Sequence, residues 1–284
     1  MHSVLAQLAL VTKRVQLGPG VTNPYLVHPT VTAAAVATLE DMSKGRAMLG
    51  ISAGDPVFLQ TVGITQYKPL TCVREAVQII KALLDGGRVD FDGKCFSCRG
   101  ARLRFKPEKS IPIYIGGRRR KMMQLAGEMA DGALINASHP VDVKESIGDI
   151  KQGLAASGRS TRGYDFVAYL AVSLDKDERK ARKAARGVVA FIASSAPEES
   201  LAHREISDRE VEIVRRFLRN GELAKAREAV TDEMIDEFSI CGESSALAER
   251  VAELKRIGVT RVVIGSPIGP EPLNSLRSAA KALI

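Results

Sequence analysis

The chain has 284 residues, 45% of them hydrophobic and 26% charged, with a formal net charge of +8 and a pI of about 9.4. That is an ordinary globular composition, long enough for one large α/β domain or two smaller ones, and no apolar run nears the roughly 18 residues of a membrane span. The basic balance fits an anionic partner, but Lys and Arg alternate with acids in stretches such as DKDERKARKAARG, residues 175–187, as on a solvated helix face, and no nucleic-acid module is recognisable.

In chain order, residues 3–13 read as a helix, with Lys13 and Arg14 after its apolar run. That order is the reverse of a secretory leader, so a cytoplasmic protein is expected. Residues 15–23, VQLGPGVTN, read as a strand broken by Gly18-Pro19-Gly20. Gly and Pro weaken a strand interior, and they fit where a strand ends, bulges or lets a ligand approach its backbone. A helix over 28–45 closes on Gly45, and a strand follows over 46–54. Residues 68–87 form a helix with Val73, Val77, Ile80 and Leu84 on one face. A hairpin-like insertion covers 88–105. Then come a strand (111–117), a helix (120–130), a strand (131–137), a helix (141–157) and a strand (165–174). A long helical insertion over 177–238 interrupts the alternation. A helix over 244–257, a strand over 260–269 and a last helix end the chain.

The cysteines are Cys72, Cys95, Cys98 and Cys241. Cys95 and Cys98 form a C-x-x-C, but no second pair or ligand-spaced histidines accompany it, so structural cysteines and no metal site are expected.

Six strands each followed by helix suggest a parallel sheet, either doubly wound or part of a (β/α)₈ barrel, which needs eight. Five predicted strands end in small or polar residues: Gly18-Pro19-Gly20, Ser52-Ala53-Gly54-Asp55, Gly116-Gly117, Asn136-Ala137-Ser138 and Gly265-Ser266-Pro267. One such loop is ordinary turn chemistry; five on the carboxyl ends of strands make a ligand face. After Gly116-Gly117 a helix starts with Arg118, Arg119, Arg120 and Lys121. Free amide donors there attract anions, and four cations at a helix N-terminus ask for one.

The motifs LGPGVTNPY, GRAMLGISAGD, FDGKCF, IPIYIGG with KMMQLAGEMADG, LINASHP, and VTDEMIDEFSICG with VIGSPIGP together resemble the methylenetetrahydromethanopterin reductases, a branch of the bacterial luciferase-like superfamily. The resemblance runs from about residue 2 to the end. It implies one α/β domain over 1–284, a TIM (β/α)₈ barrel of the luciferase-like type with the insertions at 88–105 and 177–238. It also implies the deazaflavin coenzyme F-420 and no metal. The expected reaction is hydride transfer from the reduced coenzyme to 5,10-methylenetetrahydromethanopterin, giving 5-methyltetrahydromethanopterin, as in archaeal methanogenesis and one-carbon metabolism. A pterin derivative is then the partner, with neither nucleic acid nor membrane, and a homo-oligomer is expected at full length. Other readings are a different deazaflavin- or FMN-dependent luciferase-like oxidoreductase, or a truncated barrel without activity.

Position by position, the resemblance implies a non-prolyl cis peptide at Gly20–Val21, with Gly20, Val21 and Thr22 behind the coenzyme ring. Ser52, Gly54 and Asp55 would line the next loop. Asn136, Ala137 and Ser138 would contact the ring or its side chain. Gly116, Gly117 and Lys121 would hold the phosphate of its tail, and Arg118, Arg119 and Arg120, more arginines than the family usually has in this loop, would grip its glutamate tail. Aligned on these motifs, the chain starts inside the family's second helix. The first strand, first helix and second strand, with an acidic residue near the substrate, are expected to be absent, so no catalytic residue is assigned. His139 serves equally well to start a helix.

Overall fold

Short runs of aliphatic residues closed by glycine make the strands, and proline opens several of the helices. The computed structural model describes residues 1–196, 201 and 206–284; the part of the expected helical insertion at 197–200 and 202–205 lies outside the described residues. Contacts gather the chain into two units, Met1–Leu134 with Asp149–Tyr164, and Ile135–Gly148 with Asp165–Ile284.

The first unit holds α1 (His2–Val11), α2 (Pro29–Ser43), β1 (Leu49–Ile51), α3 (Pro56–Thr61), α4 (Pro69–Leu84), β2 (Val89–Asp92), β3 (Ser97–Ala101), β4 (Ile113–Gly117) and α5 (Arg120–Met129). β5 (Gly132–Ile135) ends at its boundary, and α6 (Pro140–Ala156) returns to it from Asp149. β1 pairs in parallel with β4, setting Leu49 against Ile113 and Ile51 against Ile115. β5 is the next neighbour of β4. α4 buries a broad face, Cys72, Val73, Ala76, Val77, Ile79, Ile80 and Leu83, and packs against α2 and α5. α2 ends as expected at Gly45, whose φ is +89° and whose N–H reaches the Glu40 carbonyl.

Residues 15–23 correct the expectation. They form no continuous strand, only the parallel bridges Leu17–Ala47 and Thr22–Ile51. Pro19, between the two, has no N–H to give a ladder. α3 was not anticipated. It is six residues long, too short to show a period, though Asp55 before Pro56 is a legible start signal.

The insertion at 88–105 is the antiparallel hairpin β2–β3. Its tip is fixed to α4 twice. Cys95 is joined to Cys72 in a disulfide, and Cys98 is free. The C-x-x-C is therefore not a unit: Cys95 lies in the turn, where it meets α4. The second tie is the Glu75 carboxylate, which accepts hydrogen bonds from the backbone N–H groups of Lys94 (2.8 Å), Cys95 (2.8 Å) and Phe96 (3.1 Å). Glu75 is only 7% exposed. Burial opposes its ionisation, but the three amide donors and the Lys94 charge together hold the carboxyl below the ordinary carboxylate range.

α5 and the second half of α6 touch backbone to backbone. A Cβ on Gly127 would stand 2.1 Å from the Ile150 oxygen, and one on Gly153 would stand 2.0 Å from the Gln124 oxygen.

In the second unit β6 (Asp165–Leu174) pairs in parallel with β7 (Ile240–Gly242) and β8 (Arg261–Ile268). The described part of the helical insertion resolves into α7 (Glu178–Ser194), α8 (Asp208–Arg219), α9 (Leu223–Glu228) and α10 (Asp232–Phe238), followed by α11 (Ser244–Arg256) and α12 (Pro272–Leu283). Asp177, Ser207 and Thr231 cap α7, α8 and α10. Outside the hairpin six strands are described, the expected number but not the expected set. Residues 15–23 drop out and β7 enters, a strand of three residues that pattern reading cannot separate from the helix before it. No helix among the described residues is long and apolar enough to cross a membrane.

The Glu75 nest carries a pH signature. Because the folded-state pKa is depressed, its stabilisation is present above the ordinary glutamate value, about 4.3, and fades as pH falls through the lower folded value. Glu75→Gln is expected to lower stability by about 1–3 kcal/mol at neutral pH. Urea unfolding at a series of pH values should show the difference from the parent shrinking in acid.

Candidate active site

The first unit brings its predicted residues to the carboxyl ends of β1 and β4. Residues 17–22 lie directly on β1. A Cβ on Gly18 would be 2.0 Å from the Met48 oxygen, and one on Gly50 would be 2.5 Å from the Pro19 oxygen. Only glycine permits that approach. The Thr22 N–H donates to the Gly50 carbonyl, and the Ser52 N–H donates to the Thr22 carbonyl, both at 2.9 Å.

The Gly20–Val21 peptide is cis, as the resemblance implies. A Cβ on Gly20 would meet nothing within 4 Å, so open space adjoins this bond. Val21 is 38% exposed, an aliphatic side chain held at the mouth. Its Cγ1 lies 3.1 Å from where a Gly116 Cβ would stand, with the Ser52 Cβ at 3.5 Å from the same point. Val21 and Ser52 thus pack together over the bare Gly116, next to the open space at Gly20. Thr22 does not join them. It is 5% exposed and turned into the protein, so it supports the segment from behind.

The 52–55 loop is internally braced. The Gly54 N–H donates to Ser52 Oγ at 3.2 Å. Gly54 has φ +74°, and its open side lies against Asn23, whose Nδ2 would be 3.1 Å from an added Cβ. Asn23 Oδ1 in turn accepts from the Tyr25 and Leu26 N–H groups. Asp55 spends its carboxylate on α3, accepting from the Phe58 N–H at 2.9 Å.

At the next strand end, Gly117 leads into α5, whose cap position, Arg119, makes no side-chain cap bond and whose first turn has no acidic residue. The four cations divide. Arg118 is half-buried, and Arg119 and Lys121 are exposed. Arg120 turns to α6, pairing with Asp149 at 3.5 Å and donating to Gln152 at 3.4 Å.

In the second unit Asn136 is exposed, while Ala137 and Ser138 are buried. Ser138 is a strap. Its Oγ accepts from the Ala171 N–H at 3.0 Å, and its carbonyl accepts from Arg250 Nη1 at 2.7 Å. His139 Nδ1 accepts from the Val141 N–H at 3.3 Å, which makes it a helix-start residue. Gly265 lets β8 approach β6; a Cβ there would be 2.5 Å from the Leu170 oxygen. Among the described residues no three His, Cys, Asp or Glu side chains gather as a metal-ligating group.

The sequence profile of the luciferase-like monooxygenases matches residues 2–261. The chain belongs to that family. Within it, the chain is 49% identical to the 5,10-methylenetetrahydromethanopterin reductase of Archaeoglobus fulgidus, over all of this chain and 86% of the relative. It is 39% identical to the reductase of that name from Methanolobus tindarius, over all of this chain and 87% of the relative. The solved coenzyme F-420-dependent tetrahydromethanopterin reductase of Methanopyrus kandleri superposes with a TM-score of 0.89 at 34% identity, over 99% of this chain and 86% of that one. The fold is therefore the luciferase-like TIM barrel, and the relatives place the chain among the methylenetetrahydromethanopterin reductases.

In this luciferase-like chain the sequence left two supporting residues unseen. Arg250 carries no local motif; only the fold takes it to Ser138. Tyr25 was passed over inside TNPYLVHP, yet its hydroxyl donates to the Tyr67 carbonyl at 2.6 Å and its ring meets the Tyr67 ring edge-on at 6.3 Å. Burial, with the neighbouring Tyr67, pushes the Tyr25 phenol up to about 12.

Ser138→Ala leaves the Ala171 N–H without its acceptor, a loss of about 1–3 kcal/mol. Chemical denaturation is expected to register that drop, with a smaller one for Arg250→Lys, whose single ammonium still reaches the Ser138 carbonyl.

Proposed function

We propose that the chain transfers a hydride from reduced coenzyme F-420 to 5,10-methylenetetrahydromethanopterin, giving 5-methyltetrahydromethanopterin. The observation that carries this is the alignment of reductases of that name from three archaeal sources along 99–100% of the chain at 35–49% identity.

The first unit fits a flat, anionic cofactor. Open space adjoins the Gly20–Val21 bond, and an aliphatic side chain, seated over the bare Gly116, borders it. In this reading Val21 would back one face of the deazaflavin, Gly20 would let the ring approach the backbone, and Gly116 would seat the Val21 side chain. Ser52 sits at the ring edge, with its loop shaped by Gly54 and Asp55. Thr22 acts from behind by fixing Val21. Gly117 and the free amides at the start of α5, with Arg118, Arg119 and Lys121, hold the anionic tail. For Asn136 and Ala137 a coenzyme contact rests on the relatives alone, and within the second unit Ser138 keeps their loop in place.

The bound coenzyme supplies the hydride. The protein's part is orientation: a rigid backing on one face of the ring would leave the other for the pterin, and fixed relative geometry lowers the barrier. The net charge of +8 suits two anionic small molecules. We further assign the chain one barrel domain over 1–284 with the insertions at 88–105 and 177–238 and a cytoplasmic location, and the full-length protein a homo-oligomeric state.

The test is an anaerobic assay following the visible absorbance of the oxidised coenzyme. Appearance of that band only when the methylene-pterin is present is expected. Coenzyme binding without pterin-dependent oxidation would overturn the assignment of substrate.

The divided cations give a sharper expectation. Replacing Arg119 and Lys121 together by Gln should weaken coenzyme binding roughly 3- to 10-fold, the scale of two partly screened charges, and flatten its salt dependence. Arg120→Gln should leave affinity nearly unchanged, because that guanidinium is engaged with Asp149 and Gln152. Fluorescence titrations at two ionic strengths separate the variants.

A further inference from the structure

The loop at 52–55 and the segment at 23–25 lie against each other through Gly54 and Asn23, yet neither is part of a helix or a continuous strand. One dipeptide, Gln66-Tyr67, holds both. Gln66 Nε2 donates to the Ala53 carbonyl at 2.9 Å and to the Gly54 carbonyl at 3.0 Å. The next residue, Tyr67, accepts the Tyr25 hydroxyl on its carbonyl at 2.6 Å and places its ring edge-on to Tyr25 at 6.3 Å. Tyr25 follows Asn23, whose side chain lies against Gly54. The contacts close a ring of support: Gln66 to the 53–54 carbonyls, Gly54 to Asn23, Asn23 to Tyr25, Tyr25 back to Tyr67.

We infer that Gln66 is a positioning residue for the coenzyme, acting through the two carbonyls that set the path of the 52–55 loop and hence the place of Ser52. The inference rests on the assignment of that loop to the coenzyme under the proposed function. The chemistry needs one nitrogen that donates twice. One nitrogen offers two hydrogens in a plane, and two successive carbonyls receive them. A thioether or an alkyl chain of the same reach fills the space and donates nothing. A positively charged amine restores donors.

The loop has its own partial braces, the Ser52 N–H to Thr22 and the Gly54 N–H to Ser52 Oγ. Removing the amide is therefore expected to loosen the loop without unfolding the domain. That separates a positioning role from a structural one: affinity should fall while the melting temperature holds.

The experiment titrates the oxidised coenzyme into the parent protein, Gln66→Met and Gln66→Lys, following deazaflavin fluorescence, with thermal melts of each. Titrations are run at high ionic strength so that the added lysine charge is screened. The expected result is binding by the parent, a loss of roughly 5- to 20-fold for Gln66→Met, the scale of two neutral hydrogen bonds, near-parent affinity for Gln66→Lys, and melting temperatures within about 2 °C for all three. Equal affinity of parent and Gln66→Met overturns the inference while leaving the coenzyme assignment standing. Loss of affinity in step with loss of melting temperature overturns it too, reducing Gln66 to a stabilising contact. No binding by the parent overturns the coenzyme assignment itself.

Discussion

Contact between bare backbones governs this molecule. Residues 17–22 lie on β1 so closely that a single methyl group on Gly18 or Gly50 would sit inside the van der Waals shell of a carbonyl oxygen. Everything at the opening follows. Because the segment is held down by its own peptide groups, the Val21 side chain has nowhere to go but the mouth, and Thr22 is driven inward. Because Gly116 is equally bare, the Val21 side chain settles over it. A surface of this kind is made by leaving side chains out, and most of its shape is set by backbone hydrogen bonds.

Much of this was legible in the sequence because glycine and proline mark the chain at fixed places. The broken stretch LGPGVTN, the paired glycines before α5 and the Asp-Pro step before α3 each have one plain physical use, and the structure puts each to it. What was not legible depends on partners far away in sequence. Nothing near Cys95 says that it meets Cys72 in place of Cys98, because that choice is made by where the hairpin folds onto α4. Nothing near Ser138 says that an amide from β6 and a guanidinium from α11 will take both of its oxygens. β7 escaped for another reason: three residues give alternation no room to show itself, and the helix before it continues the apolar count. Residues 15–23 show the converse failure, a true parallel neighbour of β1 whose missing donor keeps it from being a ladder.

Charge followed the same division between what composition suggests and what geometry decides. Four consecutive basic residues at α5 look alike in the sequence. In the fold one is committed to a neighbouring helix, one is half-buried, and two face solvent at the helix start. The buried carboxylate of Glu75 goes the other way. It looks like an isolated acid in an amphipathic helix and proves to be the anchor of a turn, accepting three amides where water would otherwise be needed.

The paired glycines of α5 and α6 have a consequence for how variation along this chain is read. Gly127 and Gly153 each stand where the other helix's carbonyl leaves no room, so neither can change alone, and changing both only doubles the collision. Both positions are expected to be invariant among relatives, and a mutational scan would rank them with the most sensitive sites in the protein. Neither touches anything that binds. Their constancy would record a distance between two helices, and a map of function drawn from intolerance alone would place an active site where there is only a tight seam.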